Sequence, residues 1–101
     1  IMIHSKDKDT KDLFTFCQKY NNFTDKVPLV VVPSAYPHIT EQELVGNGID
    51  IVIYANHLIR SAYPSMTKTA ESILENQSAE FASRKYCMSI PEIIKLIPED
   101  Y

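Results

Sequence analysis

Two short apolar runs leave few folds open to this chain. Leu29-Val30-Val31-Val32 and the stretch from Ile49 to Ala55 are nearly continuous and rich in β-branched residues. That is the pattern of strands buried on both faces, as in a parallel sheet. A third β-type run, Ile1-Met2-Ile3, precedes them. Helical signals separate the runs. Lys11 to Tyr20 carries Leu13, Phe16, Cys17 and Tyr20 at i, i+3, i+4 and i+7, an apolar stripe on one helix face, with Asp9 or Thr10 placed to cap it. Thr40-Glu41-Gln42-Glu43 reads as a capping box, in which a hydroxyl and a carboxylate satisfy orphan amides. The helix it opens should stop near Gly46 or Gly48, because glycine takes φ > 0 without strain.

After the third run, Ala62 to Leu74 has helical apolar spacing at Ala62, Met66, Ala70 and Ile73. Pro64 is expected in the first turn, since an interior proline removes a ladder bond. Ser89-Ile90-Pro91-Glu92 reads as a second capping box before Ile93, Ile94, Leu96 and Ile97, while Gln77 to Tyr86 carries no clear pattern. The order β-α-β-α-β-α-α implies an α/β fold, a parallel sheet with right-handed crossovers. Two architectures fit: a small open three-layer domain, or a piece of a (β/α)8 barrel. Three strands leave two open edges, and an apolar run begins at residue 1, so the piece is favoured.

Composition narrows the function classes. The 101 residues are 45% hydrophobic and 23% charged with a net charge of −3, enough for one modest core and without a basic patch for nucleic acid. No apolar run reaches membrane-span length and no signal peptide is visible, so no membrane partner is expected. Cys17 and Cys87 form no CxxC pair and read as reduced, buried thiols of a cytoplasmic protein. Gly46 and Gly48 are the only glycines, so there is no phosphate loop and no dinucleotide fingerprint.

In parallel α/β folds the chemistry gathers at the C-terminal ends of the strands. Those ends are polar here: His4-Ser5-Lys6, Pro33-Ser34-Ala35-Tyr36, and Asn56-His57 with Arg60 just after. His4 is the sharpest candidate. Its imidazole either donates to an anionic oxygen and shuttles a proton, or bonds a neighbouring loop. Ser5 either donates to a phosphate or caps a turn, and the pattern favours the cap. Lys6 reads as part of the solvated charge run Lys6 to Asp12. Asn56 and His57 read first as fixing the loop into the next helix, Arg60 as an ion-pair partner, and His38 as structural. The histidines lack zinc spacing, and no carboxylate stands at a strand end, so this stretch offers no metal ligand set.

The segments IMIHSKDKD, VPLVVVPSAYPHIT, GIDIVIYANHLIRSAYPSM, AESILENQS and the closing CMSIPEIIKLIP, in this order, resemble the C-terminal part of the phosphoenolpyruvate mutase family, within the isocitrate lyase/phosphoenolpyruvate mutase superfamily. The resemblance implies a parallel βαβαβα segment, the last three βα units of a (β/α)8 (TIM-like) barrel plus a C-terminal helix. Residues 1–101 would then be one segment, with 58–76 the last helix exchanged between subunits and 89–97 the C-terminal helix. The earlier βα units would lie outside it.

By the same resemblance, the full enzyme interconverts phosphoenolpyruvate and phosphonopyruvate, moving a phosphoryl group between oxygen and carbon in phosphonate biosynthesis. It uses Mg²⁺ held by residues of the N-terminal part, so this segment alone would be inactive. His4 matches the histidine that holds the transferring group, as a catalytic and substrate-binding residue, and Ser5 is its neighbour in the motif. A homodimer or homotetramer through helix exchange is implied. Phosphonopyruvate hydrolase, cleaving the same carbon–phosphorus bond with water, is the near alternative. A non-catalytic α/β binding module is the alternative of another class.

Overall fold

A computed structural model describes residues 1–97 and residue 99. Pro98, which ends the last of the resembling segments, lies outside the described residues, as do Asp100 and Tyr101 of the expected 1–101 segment. The chain forms two compact units, Ile1–Ala55 and one from Asn56 onward.

The first unit is β1 (Met2–Ile3), α1 (Lys11–Tyr20), β2 (Val30–Val31), α2 (Glu41–Gly46) and β3 (Ile51–Val52). The three strands form one sheet in the order β1-β2-β3, parallel throughout. Met2 stands beside Val30 and Ile51, and Ile3 beside Val31 and Val52. The strands are shorter than the apolar runs, but flanking bonds extend the pairing. Val30 N–H donates to the Ile1 carbonyl at 2.9 Å, and Ile53 N–H to the Val31 carbonyl at 2.9 Å.

Each crossover steps the same way across the sheet. Two right-handed crossovers in one direction put both helices on one face. The register shows the result. The row Ile3, Val31 and Val52 belongs to or packs against the core, with Leu13, Cys17 and Tyr20 of α1, Leu44 of α2, Leu29, Tyr36 and Ile49. The other row, Met2, Val30 and Ile51, is half-buried or exposed. This corrects the expectation for the third run. Ile51 and Ile53 are exposed, and burial on both faces does not hold for β3, because no helix of this unit covers the second face.

The local signals are mostly where the sequence puts them. Asp9 Oδ1 accepts from the Lys11 amide at 3.0 Å, so Asp9 and not the Thr10 side chain caps α1. The box at α2 closes both ways: Thr40 Oγ1 accepts from Glu43 N–H at 3.2 Å, and Glu43 Oε2 from Thr40 N–H at 3.4 Å. Gly46 stays helical and Gly48 takes φ +89°. A Cβ at Gly48 would also run into the Asn21 side-chain amide, which itself donates to the Asn47 carbonyl at 3.0 Å.

The second unit holds α3 (His57–Asn76), α4 (Glu80–Lys85) and α5 (Ile90–Ile94). α3 packs against α4, with the small residues Ser72 and Ala82 buried on them. Asn76 Nδ2 caps the end of α3 by donating to the Ser72 carbonyl at 2.8 Å. Three expectations change here. α3 starts at its N-cap Asn56, whose carbonyl accepts from Arg60 N–H at 3.0 Å, so Pro64 lies in the helix interior and not in the first turn. Pro64 is exposed, so water can solvate the carbonyl left without its amide. The patternless stretch from Gln77 holds α4, entered through Gln77 in the left-handed region at φ 50°. α5 covers only Ile90–Ile94 of the expected 89–97, and Ser89 Oγ accepts from Glu92 N–H at 3.3 Å as one half of the expected box.

Cys17 is buried and Cys87 is exposed; both are free thiols. The expectation of burial therefore fails at Cys87, which follows α4 on a unit with few buried side chains. No described helix is long and apolar enough to cross a membrane.

Candidate active site

Parallel strands bring their C-terminal ends to one edge of the sheet. At that edge β1 runs directly into His4 and Ser5, and α1 returns after a seven-residue connection, 4–10. Between them lies a cleft of about 530 Å³ lined by Ile3, His4, Ser5, Lys6, Asp7, Asp12, Leu13 and Phe16. Its lining combines apolar Ile3, Leu13 and Phe16 with charged Lys6, Asp7 and Asp12.

The connection is pinned at both ends. Asp7 N–H donates to Ser5 Oγ at 3.2 Å, and Lys11 N–H to Asp9 Oδ1 at 3.0 Å. Ser5 therefore closes a local turn, as its sequence suggests, while the hydroxyl that accepts this bond still has its own proton to donate. His4 is exposed at the cleft. Among the described residues, no group hydrogen-bonds its ring, so the loop-bonded alternative has no support in this structure. An imidazole at a cleft with both nitrogens uncommitted can donate to an anionic oxygen.

The other strand-end residues divide. Ser34 follows β2 with its amide donating to the Val32 carbonyl at 2.9 Å. Tyr36 goes inward: it is 1% exposed and its hydroxyl has no partner among the described residues. Burial pushes its phenol up, and the neighbouring Cys17 adds to this. After β3, Tyr54 Oη donates to Glu41 Oε1 at 2.7 Å, tying the strand end to the start of α2. That hydrogen bond is the main reason the Tyr54 phenol is held above its usual range.

Asn56 is the N-cap of α3 and His57 its first residue, but the Asn56 side chain makes no capping bond to the helix amides. Arg60 Nη1 donates to Asn56 Oδ1 at 3.3 Å, a neutral acceptor one turn away instead of the expected carboxylate. Sequence reading missed Lys6 and Asp12 as cleft-lining residues. For Asp12 the signal was available, since the short connection forces the first turn of α1 back over the end of β1.

Among the described residues, no group of three or more His, Cys, Asp and Glu side chains is placed to hold a metal ion. Asp7 and Asp12 share the cleft with His4 without forming such a set.

Residues 1–74, which include the sheet, the cleft and most of α3, match the family model described as phosphoenolpyruvate phosphomutase. The chain belongs to the phosphoenolpyruvate phosphomutase family. It is 43% identical over 63 residues to the phosphonopyruvate hydrolase of Variovorax sp. (strain Pal2), covering 61% of this chain and 21% of that protein. It is 28% identical over 100 residues to the phosphoenolpyruvate phosphomutase of Tetrahymena pyriformis, covering 99% of this chain and 32% of that protein. This chain thus spans about a third or less of the curated relatives' length.

Solved structures agree on the fold. The phosphoenolpyruvate phosphomutase from Streptomyces platensis subsp. rosaceus superposes with a TM-score of 0.81 at 28% identity, over 94% of this chain and 32% of that one. A phosphonopyruvate hydrolase in complex with oxalate and Mg²⁺ superposes with a TM-score of 0.80 at 34% identity, over 95% of this chain and 33% of that one. The parallel α/β segment expected from the sequence is thus a recurring part of this family's fold.

Proposed function

We propose that the chain is the C-terminal part of a phosphoenolpyruvate phosphomutase, with His4 holding the group that moves between carbon and oxygen. In that reaction the carbon–phosphorus bond of phosphonopyruvate breaks and a phosphorus–oxygen bond to the enol oxygen forms, with no net gain or loss of atoms. The single observation that carries the reading is His4 at the end of β1: a ring at a cleft, with no hydrogen bond to the described residues, on a chain of this family. Its part is to donate to an oxygen of the transferring group, where positioned donors act most strongly once water is excluded. Ser5, held in place by the Asp7 amide, has its hydroxyl proton for a second such bond.

A related phosphonopyruvate hydrolase structure holds oxalate and Mg²⁺, and a metal ion in such a site would stabilise negative charge on a substrate oxygen. The described residues of this chain do not form a set to hold it.

The reading extends to assembly. α3 exposes Leu58, Ile59, Tyr63 and Leu74, at 86%, 64%, 69% and 78%, which supports its role as a helix exchanged between subunits of a homodimer or homotetramer. Residues 89–97, which contain α5 (Ile90–Ile94), would be the C-terminal segment of that fold.

A second reading, phosphonopyruvate hydrolase, is favoured by the higher identity to that enzyme, 43% against 28%. There the same bond breaks, water supplies the oxygen bonded to phosphorus, and carbon takes up a proton.

Phosphorus NMR of the full-length protein with phosphonopyruvate and Mg²⁺ tests both. A phosphoenolpyruvate signal is the expected result. Inorganic phosphate would replace the mutase with the hydrolase. If neither appears, both reactions fall and a non-catalytic binding role takes their place.

A further inference from the structure

We infer that Lys6 is a second substrate-recognition residue of the His4 cleft, supplying the fixed positive charge that draws a phosphonate-bearing carboxylate to the histidine. The inference rests on the reading of the cleft given above and adds a residue to it.

The sequence assigns Lys6 to a solvated run of alternating charge. The structure separates Lys6 from that run. Of the lysines in the connection and the first turn of α1, Lys6 lines the cleft, while Lys8 and Lys11 do not. Among the described residues, its ammonium is bound to no carboxylate, although Asp7 is adjacent and Asp12 lines the same cleft. The groups facing the cleft that can carry charge are therefore Lys6, His4, Asp7 and Asp12. Without Lys6, an anion would approach two carboxylates and one imidazole.

The proposed substrate makes that imbalance matter. A phosphonate beside a carboxylate carries about three negative charges at neutral pH, by analogy with the second ionisation of a phosphate ester. The two lining carboxylates repel it, and the Debye length of roughly 8 Å at physiological ionic strength is too long to hide them. A lysine on a flexible stem gives a strong, unspecific charge that recruits such an anion without fixing its orientation. The labour then divides: Lys6 acts on capture, and His4 on the transferring group once it is bound. Capture by a charge of this kind appears in KM and in its salt dependence, and leaves kcat nearly unchanged.

The test is steady-state turnover of phosphonopyruvate by the full-length protein and its Lys6→Met, Lys6→Arg, Lys8→Met and His4→Ala variants, at low and high salt. Lys6→Met should raise KM about tenfold at low salt, with kcat within about twofold. The difference should shrink at high salt, Lys6→Arg should restore KM, and Lys8→Met should behave as the parent.

An unchanged KM in Lys6→Met overturns the inference. So does an equal rise in Lys8→Met, which would mean a general surface potential, or a fall in kcat alone. His4→Ala separates this failure from that of the underlying reading. If it loses turnover while Lys6→Met matches the parent, only the role of Lys6 falls. If neither variant changes turnover, the assignment of the cleft falls too.

Discussion

The Tyr20 hydroxyl and the Val27 peptide hold each other in both directions: Tyr20 Oη donates to the Val27 carbonyl at 2.9 Å and accepts from the Val27 amide at 2.8 Å. Tyr20 is the last residue of α1 and Val27 stands shortly before β2, so one side chain fixes the return into the sheet. Its ring is buried, stacking with Phe16 at 5.8 Å between centroids and meeting Phe23 at 5.5 Å. Tyr20→Phe keeps the ring and removes both bonds. A net loss near 1 kcal/mol for each gives about 2 kcal/mol of destabilisation. The clamp lies at the N-terminal end of β2, and His4 follows the C-terminal end of β1, so activity should not change. Urea unfolding of the full-length protein checks the stability, and a loss below about 0.5 kcal/mol would refute the clamp.

Tyr36 presents the opposite case, a buried phenol with an oxygen that bonds nothing among the described residues. A buried hydroxyl without a partner costs free energy relative to water. Tyr36→Phe should therefore stabilise the fold by about 1 kcal/mol, with the ring's packing against the core retained. The urea midpoint should rise. A lower midpoint would mean that the hydroxyl has a partner in the assembled protein.

Cys17 and Tyr36 together set an alkaline limit. Burial pushes the Cys17 thiol up, and burial followed by the charge on Cys17 pushes the Tyr36 phenol up. Both folded-state values are raised, so each group stays neutral when folded and ionises more readily when unfolded. The stability they contribute is fully present below the ordinary thiol value of about 8.5 and is lost as pH rises through the raised values. The urea midpoint should fall between pH 8 and pH 10, and fall less in Cys17→Ala, where one of the two groups is gone. Equal slopes in parent and variant would remove Cys17 from the account. Iodoacetamide should label exposed Cys87 in the native protein and reach Cys17 only on unfolding.

Where the sequence predicted well, the cause of the structure was local. The stripe Leu13, Phe16, Cys17 and Tyr20 and the cap at Asp9 define α1 at Lys11–Tyr20, and Thr40 with Glu43 defines the start of α2. Where it erred, the cause was not local. Burial of β3 depends on what covers the second face of the sheet, and Ile51 and Ile53 do not contain that information. Pro64 signals a helix start by propensity alone. The signal is overridden because α3 begins at Asn56, and the helix tolerates one missing bond on an exposed side.

The site divides in the same way. His4 and Ser5 follow from the rule that strand ends carry chemistry, and the cleft contains both. Lys6 could not be distinguished by sequence from Lys8, because alternating charge looks the same whether or not the chain curls round a cleft.

His4 itself gives the sharpest test of the proposed chemistry. The ring is exposed and takes no hydrogen bond from the described residues, so the fold does not depend on it. His4→Ala should leave unfolding within about 0.5 kcal/mol of the parent, the range of surface substitutions. If the ring donates to the transferring group, the same change removes a positioned donor, and kcat should fall by about 100-fold or more with a small change in KM. His4→Gln, which keeps an N–H donor of similar reach, should recover part of that loss. Parallel measurement of unfolding and of turnover followed by phosphorus NMR separates the two effects. A variant that loses turnover only in proportion to its stability would make His4 structural, and one that turns over like the parent would place the chemistry elsewhere on the strand ends.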